Sequence, residues 1–213
     1  MMRHLIGAMM LANAAWAQGG PPSMGTPIRP FHVANYDLAV DLPETGKTIA
    51  GNAVLSVERL GPGDTLRLDL LDLTVTSVTL DGRTVGFVHD AGQLRIPVAA
   101  TAARFTVAVR YGGAVTDGLI IGTDSAGRWM AFGDNWPNRA RRWIPSIDHP
   151  SDKATVSWTV KAPSDRRVIA NGSLLEETPL PTPVVPIVSS AMVEPSANRS
   201  FEDTTRGVRV DSA

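Results

Sequence analysis

The sequence predicts an all-β fold, an antiparallel β-sandwich-like domain, on three observations. Apolar and polar residues alternate with period two in one run after another, the pattern of strands with one buried face. Turn signals recur at intervals of about eight to twelve residues. Helical periodicity is almost absent, and 19 Gly and 16 Pro among 213 residues provide the turns.

Each element follows from local pattern. Tyr36, Leu38 and Val40 alternate with Asp37, Ala39 and Asp41 to give a first strand. Pro43 to Lys47 is a turn. Ile49, Gly51, Ala53, Leu55 and Val57 share one face of the next strand, where Gly51 suits a bulge or a close backbone approach. Gly61-Pro-Gly-Asp64 turns the chain again, and Leu66, Leu68 and Leu70 alternate with Arg67 and Asp69. Thr74 to Leu80 is rich in β-branched residues, and Asp81-Gly82 is a hairpin turn. Val85, Phe87 and Gln93 to Ile96 continue the meander, and Arg104 to Tyr111 is a strand that ends at Gly112-Gly113. Thr155 to Lys161 and Val168 to Ala170 are expected as two more strands. From Thr178 the composition changes: four prolines fall in nine residues, and a mostly polar stretch follows. Prolines cannot occupy a central strand, so 178–213 is expected to be an extended or disordered Pro-rich tail.

The chain start has the form of an export signal. Arg3 and His4 precede a short apolar run, Leu5 to Ala14, and Ala15-Trp16-Ala17 is an A-x-A cleavage site. Cleavage after Ala17 would leave Gln18 first and no membrane span, in a periplasmic or secreted protein. The expected organisation is a signal peptide (1–17), a flexible leader (18–30), a β-domain (31–177) and the tail (178–213).

Composition narrows the function. A formal net charge of -1 argues against nucleic-acid binding. With no cysteine, disulfides and thiolate metal sites are excluded. The densest chemistry lies in Asp134 to Thr155, which holds two Trp, three Arg and three Pro. Pro137, Pro145 and Pro150 impose a rigid, turning path. Arg139, Arg141 and Arg142 lie near Asp134, Asp148 and Asp152, a composition suited to an internal charge network. Trp136 and Trp143 suit a packing platform or an interface.

Pro145-Ser-Ile-Asp148-His-Pro150-Ser-Asp-Lys153-Ala154 resembles the Pro-x-x-Asp-x-Pro-x-x-Lys-Ala signature of the aminopeptidase N family of zinc aminopeptidases. The resemblance runs from about Tyr36 to Glu177 and includes Leu66 to Leu73 and Ala170 to Leu175. It implies the family's N-terminal β-domain, which buttresses a catalytic domain and closes one wall of its cleft. It also implies that zinc and peptide substrates belong to that catalytic domain, lost in cis or supplied in trans. In that family an acidic residue or Gln about nine positions before the first Pro holds the substrate's α-amino group. Here the count reaches Trp136, and the adjacent Asp134 and Asn135 could serve if the loop is shifted. Asp148 would accept hydrogen bonds from loop amides or an Arg, and Lys153 would be a salt-bridge partner or solvated.

The family's catalytic motifs are missing from this sequence. Its histidines are His4, His32, His89 and His149, and no two are spaced as His-Glu-x-x-His requires. The Gly-x-Met-Glu-Asn substrate motif is also missing. No cofactor is therefore expected in this chain, and the tail is expected to reflect a shortened gene or a shifted frame. Ser146, His149 and Asp152 lie too close in sequence for a catalytic triad. Two functions stay open: the non-catalytic β-domain of an exported zinc aminopeptidase, or a stand-alone binding module that uses the Trp/Arg/Pro loop.

Overall fold

The computed structural model describes residues 29–180 and 205–212. The expected signal peptide and nearly all of the leader lie outside them. Thirteen strands are present among the described residues: β1 (Phe31–Asp41), β2 (Thr48–Arg59), β3 (Thr65–Asp69), β4 (Thr74–Leu80), β5 (Arg83–Thr84), β6 (Val88–Asp90), β7 (Gln93–Pro97), β8 (Arg104–Ala114), β9 (Leu119–Thr123), β10 (Trp129–Gly133), β11 (Thr155–Pro163), β12 (Ser173–Leu180) and β13 (Thr205–Ser212). One short 3-10 turn, Ala140–Arg142, interrupts the loop before β11.

The large sheet runs β12-β13-β11-β1-β2-β8-β4-β5. A three-stranded sheet, β3-β7-β6, and a two-stranded hairpin, β9-β10, complete the fold. Every pairing is antiparallel except β1 with β11, which run parallel from Asn35↔Thr155 to Asp41↔Lys161. That pairing needs a long crossover, and the whole chain from β2 to the 134–155 loop lies within it.

The period-two pattern fixes what is buried. Tyr36, Leu38 and Val40 of β1, Ala53, Leu55 and Val57 of β2, and Val107 and Val109 of β8 point inward. They share one core with Leu66 and Leu68 of β3 and Leu94 and Ile96 of β7. A one-residue slip in any of these strands would turn its apolar set outward, so the alternation fixes the register. At Gly51 the close approach is made by a side chain: a Cβ there would fall on the ring of its cross-strand partner Tyr111. Asp81 and Gly82 have φ 47° and 78°, the left-handed pair that a two-residue hairpin turn needs.

Two expectations are corrected, and one element is new. Residues 168–170 are not a strand; the strand begins at Ser173. The hairpin β9–β10 was not anticipated. Its strands are short, and neither shows the long alternation that marks β1 or β8. The expected tail also supplies structure, because β12 extends to Leu180 and Thr205–Ser212 forms β13, paired with both β11 and β12. Pro179 is tolerated because β12 is the outermost strand of its sheet. Residues 181–204 lie outside the described set.

Candidate functional site

The loop from Asp134 to Ala154 closes the open edge of the three-stranded sheet. Asp69, at the end of β3, donates its N–H to the Ser146 carbonyl at 2.7 Å and accepts from the Ser146 N–H at 3.1 Å. Leu71 N–H donates to the Arg141 carbonyl at 2.7 Å. The loop thus acts as a short extra strand, satisfying backbone groups that would otherwise be an exposed edge. Trp143, Ile144, Pro145 and Ser146 are buried as a block.

Trp143 anchors that block. It is 7% exposed and stacks on Trp158 of β11 with centroids 5.6 Å apart and planes 12° off parallel. Its indole N–H donates to Asn135 Oδ1 at 2.9 Å, so the polar end of the ring is satisfied. The base of the hairpin closes over it. A Cβ on Gly133 would stand 3.3 Å from the Trp143 ring. One on Gly118 would stand 2.9 Å from Trp143 Cδ1 and fall on the Arg139 carbonyl oxygen. Gly118 also has φ 78°, so only glycine meets both demands without strain. Farther along, the Arg166 guanidinium lies 5.0 Å from the Trp129 ring centroid and holds β10 to the β11–β12 connection.

The three arginines are committed to carboxylates within the protein. Arg139 Nη1 pairs with Asp134 Oδ2 at 2.7 Å, and its Nε lies 3.6 Å from Asp117. Arg142 Nη1 pairs with Asp72 Oδ2 at 2.8 Å, and its Nε lies 3.6 Å from the same Asp117 carboxylate. Arg141 is the most enclosed. Its Nε donates to Asp148 Oδ2 at 2.9 Å, Nη2 donates to the Asp148 carbonyl at 3.0 Å, and Nη2 lies 3.5 Å from Asp69 Oδ2. Asp148 also accepts the Arg141 backbone N–H at 3.2 Å. These contacts fold the segment 141–148 back on itself, giving the signature Asp a bracing role.

Asp152 does not join this network. It pairs with His32 Nδ1 of β1 at 2.7 Å and accepts the Val33 N–H at 3.4 Å. The Ser146, His149 and Asp152 side chains are not assembled into a relay. His149 Nδ1 contacts Ser151 Oγ at 2.8 Å, and the buried Ser146 hydroxyl has no partner among the described residues. Pro150 and Lys153 are exposed. Tyr36, beneath the loop, accepts the Ile147 N–H at 3.0 Å. Burial pushes its phenol well above the ordinary tyrosine range, nearby Asp152 and Asp148 add to the shift, and the Ile147 amide opposes it.

Asp134, Asn135 and Trp136 come together at the hairpin exit. Asp134 N–H donates to the Gly118 carbonyl at 2.6 Å, extending the hairpin ladder by one step. Its carboxylate uses Oδ2 toward Arg139, with the side chain about one-third exposed. The peptide bond Trp136–Pro137 is cis, and Trp136 is 80% exposed. Among the described residues, no group of three or more His, Cys, Asp or Glu could hold a metal ion.

The family model of the peptidase M1 N-terminal domain matches residues 32–185, most of the chain. The chain belongs to the peptidase M1 N-terminal domain family. It is 24% identical over 190 residues to an aminopeptidase N of Lactococcus lactis subsp. lactis, covering 84% of this chain and 20% of that protein. Its fold is similar to that of an M1 zinc metallopeptidase mutant of Deinococcus radiodurans bound to a Tyr-Ser-Ala substrate, with TM-score 0.66, 21% identity, and coverage of 86% of this chain and 39% of that one. It is likewise similar to Legionella pneumophila aminopeptidase A in complex with aspartic acid, with TM-score 0.66, 19% identity, and coverage of 85% and 20%. The chain therefore spans about a fifth to two-fifths of the length of these relatives. The M1 match also runs past Glu177, where the resemblance in the sequence had been expected to stop.

Proposed function

We propose that this chain acts as the non-catalytic β-domain of an exported zinc aminopeptidase, forming one wall of a cleft whose zinc belongs to a separate catalytic domain. The observation that carries this is the M1 N-terminal domain match over residues 32–185, in a chain spanning only 39% of a similar zinc metallopeptidase. Release of N-terminal residues from peptides would be the activity of the assembled enzyme. The 134–155 loop supports a wall role because its arginines, Trp143 and Asp148 are all used in bracing, which makes it a stiff element.

Within that wall, Asp134 is the group proposed to meet the substrate's α-ammonium. Its Oδ2 is held by Arg139, and Oδ1 has no partner among the described residues. Asn135 is the weaker candidate, since its Oδ1 is occupied by the Trp143 indole. Export is supported by the Arg3 to Ala17 pattern.

Metal analysis and aminopeptidase assays on the purified chain test this proposal. No bound zinc and no hydrolysis are expected from the chain alone, and stoichiometric zinc with metal-dependent hydrolysis would overturn it. N-terminal sequencing of the mature protein should begin at Gln18. The stand-alone binding-module alternative rests chiefly on the exposure of Trp136, because the three arginines already have partners.

A further inference from the structure

The large sheet carries the core on one face and a cavity of about 440 Å³ on the other. Small-molecule sites range over about 300–1,000 Å³. Strand alternation explains the hollow. Leu38 and Val40, Ala53 and Val109 point inward, so their neighbours point outward. At Ala39, Ala50 and Gly112 those outward positions carry almost no side chain, and they form the floor. The floor is closed from below at Gly51, where the buried Tyr111 ring packs against the backbone from the core side. Sheet order sets the rim: Asp41 stands on β1, Asn52 on β2, Arg110 on β8, and Thr74 and Thr76 on β4.

The charge on this rim is unbalanced at one point. Arg104 and Arg110 lie on the same face of β8, each beside β2. Arg104 stands opposite Glu58 and pairs with it at 3.0 Å. Arg110 stands opposite Asn52, an uncharged residue, and its exposed guanidinium has no carboxylate partner among the described residues. On its other side β4 is bulged. Val75 pairs with Tyr111 and Ser77 with Arg110, so Thr76 is the extra residue, set beside Arg110 with its hydroxyl donating to the Arg110 carbonyl at 3.2 Å. The Asn52 amide and the Thr74 hydroxyl also have no partner among the described residues. A guanidinium fork flanked by an amide and a hydroxyl suits an oxyanion. Asp41 is two strand spacings from Arg110, about 10 Å across the sheet. Its carboxylate lies 3.9 Å from Lys161, and it would accept hydroxyl donors while repelling a second anionic group.

We propose that this cavity binds a small hydroxylated organic anion, with its phosphate or carboxylate on Arg110 and its hydroxyl groups toward Asp41. The site lies on the sheet face opposite the 134–155 loop, because Trp143 stacks on Trp158, which pairs with the inward Leu38. It therefore stands or falls separately from the β-domain function. Nuclear magnetic resonance titration of the full chain at constant ionic strength is the measurement, with glycerol 3-phosphate, glycerate, inorganic phosphate and glycerol as probes. Saturable shifts of the Asn52, Thr74 and Gly112 amides are expected with glycerol 3-phosphate or glycerate, and none with glycerol. Tighter binding of glycerol 3-phosphate would identify the anionic group as phosphate, and tighter binding of glycerate as carboxylate. Arg110→Gln should weaken binding about tenfold, whereas Arg104→Gln on the same strand face should leave it unchanged. Asp41→Asn should erase the preference for glycerol 3-phosphate over inorganic phosphate. All three side chains are exposed or paired only at the surface, so circular dichroism of the variants should match wild type. The absence of saturable shifts with either organic anion would overturn the proposal, as would binding that Arg110→Gln leaves intact. Inorganic phosphate binding as tightly as both organic anions would mean an adventitious ion only, and would overturn it too.

Discussion

The loop's two tryptophans lie seven residues apart and occupy opposite environments. Trp143 is stacked on Trp158, bonded to Asn135 and roofed by two glycines, while Trp136 is almost bare. The inner side of the loop is a packed seam in which each ring and guanidinium has a partner. The outer side presents apolar surface with none among the described residues. An isolated loop gains nothing from such exposure, so the difference separates residues that hold the domain together from residues available to something else. The largest test of that division is Trp143→Ala. Removing a buried indole should cost about 3–5 kcal/mol, including the cavity left between Gly133 and Trp158. Urea unfolding should show the midpoint falling accordingly; a loss under about 1 kcal/mol would mean that the seam is not structural.

Gly118→Ala attacks the same seam from the hairpin side. The residue holds φ 78°, and a Cβ would collide with the Arg139 carbonyl and crowd Trp143. Backbone strain together with the forced shift should cost about 2–3 kcal/mol. Gly122→Ala on the same hairpin has open space at its Cβ and should be nearly neutral in the same urea titration. Equal losses from the two would remove the distinction between the hairpin's packed base and its free outer face.

How much of this was legible in the sequence differs between strands and loop. The period-two runs identified β1, β2, β3 and β8 directly, because one buried face leaves an alternation in the residues. The hairpin was missed because Leu119-Ile-Ile and Trp129-Met-Ala-Phe read as apolar runs, with small residues where polar ones would mark the outer face. β13 was missed because polar residues surround Val208 and Val210 in a short run, and its partners in β11 and β12 are distant in sequence. The arginine cluster was legible as a charge network, but its pairings were not. Asp72 and Asp117 reach it from other elements, and Asp152 turns away to His32. The opposite exposures of Trp136 and Trp143 depend on the hairpin, so they could not be assigned before the hairpin was seen.

The chain's two tyrosines sharpen the comparison further, since both are inside and only one has a hydroxyl partner among the described residues. Tyr36 accepts the Ile147 amide of the loop, whereas the buried Tyr111 hydroxyl has no partner among the described residues. Tyr36→Phe should cost about 1–2 kcal/mol by leaving that amide unsatisfied. Tyr111→Phe should be neutral or slightly stabilising, because it removes a stranded polar group and keeps the ring over Gly51. Burial raises both phenol pKa values in the folded state. Their contribution is therefore fully present below the unfolded tyrosine pKa of about 10, and it fades as pH rises above that value because only the unfolded chain gives up the protons readily. Phenolate absorbance should appear together with unfolding at alkaline pH. Ionisation of either ring well before the circular dichroism changes would show that it is not buried as described.

Among the loop residues the smallest effect on stability should come from Trp136→Ala, and there the comparison is most exposed to failure. A side chain 80% open to solvent buries little apolar area on folding, and its removal leaves no cavity. Its indole makes no bond that holds Pro137 or Arg139, whose path is set by the Asn135 carbonyl and the Asp134 carboxylate. The unfolding free energy should therefore change by no more than about 0.5 kcal/mol, with an unchanged denaturant slope. A loss above about 1 kcal/mol would place Trp136 with Trp143 as a structural residue. A neutral result leaves this large apolar ring without a role in the isolated fold, so its use has to be sought in contact with another molecule.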